Sequence, residues 1–264
     1  VRLEVSTREM DALTYCPTTG ELQMANGFVL YEGPSVLDGA PIVAIATMST
    51  KNAKTGAMVQ TWILRADMAP LAALDTKADV SVCGVCPQRR SIGGACYVNV
   101  GQAPQAVWKA YKRGSYSHDW NPETFAGRKI RLGAYGDPAA VPADVWASVL
   151  DRASGWTGYT HQISHKNFQH ELLKWVMVSA DTPRQASALQ GRGYRTFRVK
   201  APGAPVLPGE ITCPTEYNAQ ANCAACGLCN GAARDGKSVV IDVHGSLSSR
   251  YVSKYGNANL IAVA

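Results

Sequence analysis

Cysteine dominates the chemistry this sequence could perform. Cys223, Cys226 and Cys229 form a CxxCxxC run, and Cys213, followed by Pro214, stands a short loop upstream. Four thiolates at this spacing can fold around one inorganic centre. A compact CxxCxxC with a remote Cys-Pro is how bacterial 4Fe-4S loops are built, whereas zinc ribbons pair two separate CxxC knuckles. Here the middle cysteine belongs to both CxxC units, which favours a 4Fe-4S cluster over the alternative, zinc, and both over a disulfide framework. Ala224, Ala225, Gly227 and Gly231 are small enough for backbone amides to approach the sulfurs, which suits either metal.

A second triad lies early in the chain. Cys83-Gly84-Val85-Cys86-Pro87, with Cys96 beyond it, repeats the short and long spacings in reverse. It would complete a second site, or share ligands with the first, if Cys16 or a histidine supplied a fourth donor. The alternative is a set of buried free thiols on a structural loop.

These residues need a scaffold. Turn signals around residues 28–31 predict an irregular lead-in with a hairpin, and apolar runs at 41–47 and 58–64 read as early strands. Residues 79–82 read as a strand running into Cys83. Pro104 opens a helix that ends in cations and Gly114. From Lys129 the pattern alternates regularly, with strands predicted over 129–135, 158–162, 175–180, 194–199, 210–213 and 238–242. The helices expected between them cover 142–153, 165–173 and the stretch from Thr182 to Gly191. Repeated β-α units imply parallel strands with right-handed crossovers, hence a full or partial β/α barrel with an elaborated N-terminal β segment and a cysteine-rich loop. We expect one domain over 1–264, with an N-terminal part to 128, regular units over 129–245 and a tail over 246–264.

Such folds gather chemistry at the carboxyl ends of their strands. The polar residues expected there are Tyr135, Asp137, Thr160, His161, Gln162, Ser179, Asp181, Arg198 and His244, with Cys213 leaving from the same rim. A cluster would then adjoin an active site. His161 is the candidate general base and Asp137 its orienting partner, with Ser179 and His244 as further catalytic candidates. Each has a structural reading: a core histidine, a turn aspartate, a packed hydroxyl, a strand-end histidine. His118, His165 and His170 are assigned no role, and Asp181 reads as an aid to a helix start. Ester hydrolysis at such a rim needs an acid–base group and an oxyanion partner. No GxSxG elbow occurs, which disfavours an ordinary α/β-hydrolase, and the CxxxCxxC motif of radical chemistry is missing. A cluster held by three cysteines would leave an open iron as a Lewis acid.

Composition narrows the classes further. The chain has 264 residues, 46% of them hydrophobic, without an apolar run near the roughly 20 residues that cross a bilayer. No tripartite secretory signal opens it, and cysteines bunched at CxxC spacing read as reduced thiols of a cytoplasmic protein. The formal charge of +6 is scattered apart from Arg89-Arg90 and the Lys109, Lys112, Arg113 group. These read as solvated surface, with a nucleic-acid footprint as the alternative.

The motifs Val59-Gln60-Thr61-Trp62-Ile63-Leu64, Cys83-Gly84-Val85-Cys86-Pro87, Gly136-Asp137-Pro138, Gly155-Trp156-Thr157-Gly158-Tyr159-Thr160-His161-Gln162, Tyr194-Arg195-Thr196-Phe197-Arg198-Val199 and the loop from Cys213 to Cys229 resemble a bacteriophage-encoded family of cysteine-rich iron-sulfur proteins. The resemblance spans about residues 40 to 245. It implies a 4Fe-4S cluster, life in a host cytoplasm and hydrolysis of small carboxylic esters. The non-enzymatic alternative is a redox protein, working with a redox partner, or a nucleic-acid-binding protein with a structural site.

Overall fold

The computed structural model describes residues 13–15, 22–24 and 26–260. The proposed part of Cys16 in a second site therefore lies outside the described residues. Strands β1 (Leu13–Tyr15) and β2 (Leu22–Met24) pair as a small antiparallel hairpin with a sheet of its own. All other strands join one nine-stranded sheet. Its edge is an antiparallel run, β3 (Gly27–Pro34), β4 (Pro41–Thr47) and β5 (Val59–Arg65). From β5 onward every pairing is parallel. The strands are β6 (Lys129–Tyr135), β7 (Gly155–Thr160), β8 (Met177–Ala180), β9 (Thr196–Lys200), β10 (Glu210–Thr212) and β11 (Ser238–Asp242).

The sheet is open. Its spatial order is β10-β11-β9-β8-β7-β6-β5-β4-β3, so among the described residues β10 and β3 lie at opposite ends, unpaired with each other, and the expected barrel does not close. The antiparallel hairpin at one end extends the sheet outward where a barrel would need another parallel strand. What holds of the expectation is an α/β fold on a largely parallel sheet.

Strand order also fixes which face each connection covers. From β5 to β9 each step moves to the next position in one direction, so right-handed crossovers carry their helices to one face. There α4 (Ala143–Leu150) buries Trp146, Val149 and Leu150, and α5 (Pro183–Gln190) packs Ala186 against Ala180 and Leu207. Only the step from β10 back to β11 runs the other way. The same handedness sends that connection, which carries Cys213 to Cys229, across the opposite face. Tyr159, Met177, Phe197, Val239 and Ile211 lie beneath it with Cys213, Leu228 and Cys229.

Local predictions fared unevenly. Residues 79–82, read as a strand, form α2 (Val80–Cys83), following α1 (Pro70–Asp75). The helix opened by Pro104 is α3 (Ala103–Lys112). The helix expected over 165–173 shrinks to a 3-10 turn, His170–Lys174. Within the expected C-terminal tail α7 (Ser248–Leu260) is helical, and it is tied to the sheet by Tyr251, whose hydroxyl lies between the carbonyls of Asp181 and Val199, 2.7 and 2.6 Å away. No helix among the described residues is long and apolar enough to cross a membrane.

Candidate metal centres

The β10–β11 connection is built to hold its cysteines still. The Cys213 amide donates to Val240 O at 2.8 Å as the chain leaves β10. One turn of helix, α6 (Cys223–Cys226), follows. Asn222 caps it by accepting from the Ala225 amide at 2.9 Å, and Gly227 ends it in the left-handed region at φ 65. This turn is pinned to the β4–β5 loop, since the Cys223 and Ala224 amides donate to Lys54 O and Thr55 O at 2.9 and 3.0 Å. Beyond it, Arg195 fans its guanidinium over Leu228 O, Gly231 O and Asn230 Oδ1. The Gly158 amide, in the middle of β7, donates to Cys229 O at 3.1 Å. As a result Cys213, Cys223, Cys226 and Cys229 line one pocket, with Thr157, Tyr159 and Val239 of the sheet among its walls.

Burial in this pocket works against anionic sulfur, while Tyr159 and Arg131 work in its favour. Burial pushes the Cys229 thiol up to about 12. The Tyr159 hydroxyl, hydrogen-bonded to it, works the other way, and the three neighbouring thiols add to the rise. Burial likewise raises Cys223, opposed by Arg131. Four thiolates this close repel one another unless a cation sits among them. Arg131 stands beside the pocket with its guanidinium 5.6 Å from the Tyr159 ring and Nη2 donating to Tyr97 Oη at 2.8 Å. Burial works against its charge, but Tyr97, Tyr159, Cys223 and Cys229 outweigh that and push its pKa above the ordinary guanidinium value.

The polar rim forms elsewhere, at the carboxyl ends of β6, β7 and β8. Asp137 follows β6 and is buried. Its carboxylate accepts from the Ala139 amide at 3.0 Å, the His161 amide at 2.9 Å and Gln162 Nε2 at 3.1 Å. It therefore meets His161 through the backbone and caps a turn, which removes it as the orienting partner of the imidazole. That partner is Asp181, after β8, whose Oδ2 lies 3.4 Å from His161 Nε2. The contact lacks hydrogen-bond geometry, and Nε2 is buried without a hydrogen-bond partner. Burial disfavours the charged ring, yet the Cys86 and Asp181 side chains outweigh it and hold His161 well above the ordinary imidazole range. A ring held charged is not a free general base. Burial raises Asp181, but His161 and Gln88 reverse this and leave it below the usual carboxylate range.

The early triad also comes to this rim. Gln162 clamps it, donating from Nε2 to Cys83 O at 2.9 Å and accepting from the Val85 amide at 3.0 Å. Gln88 Nε2 donates to Asp181 Oδ1 at 2.7 Å. Burial raises the Cys83 thiol, with Cys86 and Cys96 adding to the rise, and burial raises Cys96, with Cys86 adding to it. Gly84 makes the clamp possible. Its φ is 54, and a Cβ there would lie 2.1 Å from Gln162 Oε1. Gly84→Ala is expected to lower stability by about 1–3 kcal/mol through backbone strain and displacement of Gln162, read as a lower thermal midpoint.

The remaining candidates are dispersed. Ser179 sits within β8, in register with Phe197. His244 follows β11, where its ring packs 5.3 Å from Tyr97 and Nδ1 lies 3.1 Å from Asp242 O. Neither stands with His161 and Asp181. Arg198 is fully buried in a bidentate pair with Glu210 and belongs to the scaffold. Cys213 leaves β10 near the rim, but the rest of its loop turns back over the sheet face. The late-loop site therefore does not open into the polar crown, and the thiols at the crown are those of the early triad.

Sequence reasoning missed Asp181 as the partner of His161, although adjacent parallel strands place residues that follow β7 and β8 side by side. It also missed Arg131, Tyr97 and Tyr159, which offer only a cation and aromatics within or beside strands. Among the described residues no group of three or more His, Cys, Asp or Glu side chains has the geometry of a bound metal ion. In both cysteine sets the thiols would have to draw in on binding. Comparison of the chain with protein-family models, curated proteins and solved structures gives no match.

Proposed function

We propose that this chain is an iron-sulfur protein holding a 4Fe-4S cluster on Cys213, Cys223, Cys226 and Cys229. One observation carries the reading: four thiols from a single crossover line the same pocket on the sheet face the helices leave free. The donor set is right for the group, because clusters take cysteine thiolates and tolerate a loop this tight. The surroundings suit it as well. Tyr159 offers a hydrogen bond to Cys229 and Arg131 a positive charge, the outer-shell features that hold and tune a sulfur-ligated centre. Bound there, the cluster supplies a one-electron redox couple. The protein's part is to exclude water from it with Leu228, Val239 and the sheet, and to balance its charge. Protein isolated without oxygen should be brown, and dithionite should bleach its broad visible band; a colourless preparation would count against the cluster.

Hydrolysis of small carboxylic esters is the second reading. It is supported by His161 Nε2, a buried polar atom without a hydrogen-bond partner at the carboxyl ends of the strands, beside Asp181. His161 would be the acid–base group and Asp181 the carboxylate that steadies it. The charged His161 would give its proton to the departing alkoxide as water adds to the ester carbonyl and the acyl C–O bond breaks, and would recover a proton from the added water. His161→Ala is expected to slow turnover of p-nitrophenyl acetate at least ~100-fold, the usual contribution of a positioned acid–base group, while the visible band persists. Equal turnover in variant and parent removes His161 from the reaction.

A further inference from the structure

The early triad is not used by the late-loop cluster, yet its surroundings are those of a built site. Cys83 ends α2, and the chain turns so that the Cys86 amide donates to Cys83 O at 3.1 Å, the backbone bond that closes this CxxC turn. Cys96 is brought back to the same place by a tight return, with its amide donating to Gln88 O at 2.9 Å and the Gly94 amide donating to Arg89 O at 2.8 Å. Only glycine fits at 94, where a Cβ would lie 2.2 Å from the Gln88 carbonyl carbon. All three sulfurs are free thiols.

His161 stands beside them, directly before the Gln162 that clamps the Cys83–Val85 turn. Its backbone is fixed by Asp137, whose buried carboxylate accepts from the His161 amide at 2.9 Å. Buried polar atoms almost always find a partner, and each exception asks for a reason. His161 Nε2 is such an exception: it has no hydrogen-bond partner, and its contact with Asp181 Oδ2 at 3.4 Å lacks hydrogen-bond geometry.

We propose that Cys83, Cys86, Cys96 and His161 Nε2 bind a second metal centre at the carboxyl-end rim, a zinc ion or a small iron-sulfur cluster. Three soft thiolates and one imidazole are a donor set that either group accepts, and harder cations such as magnesium or calcium are poorly matched to it. The centre accounts for the orphan nitrogen, for three thiols gathered without a disulfide, and for the glycines that let the two turns close. It competes with the hydrolytic reading, since a nitrogen bound to metal has no lone pair left to exchange a proton. It is independent of the late-loop cluster, whose ligands come from another connection on the sheet face.

The test uses the full chain, purified without oxygen, with zinc and iron measured by elemental mass spectrometry. Cys96→Ser should lose one centre's metal, zinc if the site holds an ion and iron with sulfide if it holds a cluster, and should keep the late-loop cluster that Cys226→Ser loses. Metal content equal to the parent's in Cys96→Ser overturns the proposal. His161→Ala should release the rim metal to a chelator at least ~10-fold faster, and unchanged release overturns the place of His161 in the ligand set. If Cys96→Ser does not fold, iodoacetamide labelling of the parent protein replaces it, read peptide by peptide before and after stripping with ferricyanide and EDTA. Cys83, Cys86 and Cys96 should become reactive only after stripping, and identical labelling in both states overturns the proposal. Ester turnover on the same samples separates the two readings of the rim. Loss of turnover in His161→Ala with unchanged metal content supports hydrolysis against the metal centre, and the converse supports the metal centre.

Discussion

Serine in place of Cys226 is expected to abolish the late-loop cluster. A hydroxyl is a poor donor to iron, and removing even an outer-shell partner of a metal site costs about 10–100-fold in affinity, so loss of a ligand should cost more. The late-loop cluster's part of the visible band should fall to less than about a tenth of its parent value, with its iron and sulfide falling together. Folding should suffer too, because binding energy at such a site is also folding energy for the loop that forms it. The loop's fixed points, the amides of Cys223 and Ala224 on Lys54 and Thr55 and the Arg195 fan over its carbonyls, hold it in place but do not neutralise clustered sulfurs. Cys226→Ser should therefore leave the sheet intact by far-ultraviolet circular dichroism while Cys213 and Cys223 gain reactivity toward alkylating agents. A variant with the parent's full iron and sulfide content would show that Cys226 is not a ligand.

The largest stability effect is expected where no chemistry occurs. Arg198 and Glu210 form an ion pair with both side chains fully buried, the guanidinium donating through Nε at 2.8 Å and Nη2 at 2.6 Å. Nη2 also donates to Pro205 O at 2.8 Å, and Glu210 Oε2 accepts from the Leu207 amide at 2.9 Å. Together these bonds fix the β9–β10 connection and thereby the strand from which the cysteine crossover departs. Glu210→Ala strands a buried cation and should cost about 3–5 kcal/mol. For a chain of this size that lowers the thermal midpoint by roughly 10 °C. Replacing both partners with apolar residues, Arg198→Met with Glu210→Leu, should cost much less, because no charge is then left unpaired. A single variant as stable as the parent would contradict this account of the edge.

Strand positions were legible because periodicity and turn residues are local. Residues 129–135 were read as the strand that β6 forms, and Thr182 with Pro183 marked the start of α5 correctly. Closure of the sheet was not legible, since repeated β-α units look alike whether the first and last strands meet or stay apart. The reversed step from β10 to β11 was hidden for the same reason. Yet that step decides that Cys213 to Cys229 cover a sheet face while Cys83, Cys86 and Cys96 reach the rim. The cysteine spacing itself was informative, because four thiols named from the sequence line one pocket. The pairing of His161 was misjudged because Asp137, the nearer carboxylate by motif, is consumed by backbone amides on the adjacent strand end. Residues 79–82 were misread as a strand because a short apolar run carries no helical period of its own.

Counting iron and acid-labile sulfide in protein purified without oxygen tests the central claim most directly. We expect equal amounts, at least about four of each per chain, as a 4Fe-4S centre requires. Iron-free, sulfide-free protein that is folded and has all its thiols free would contradict it.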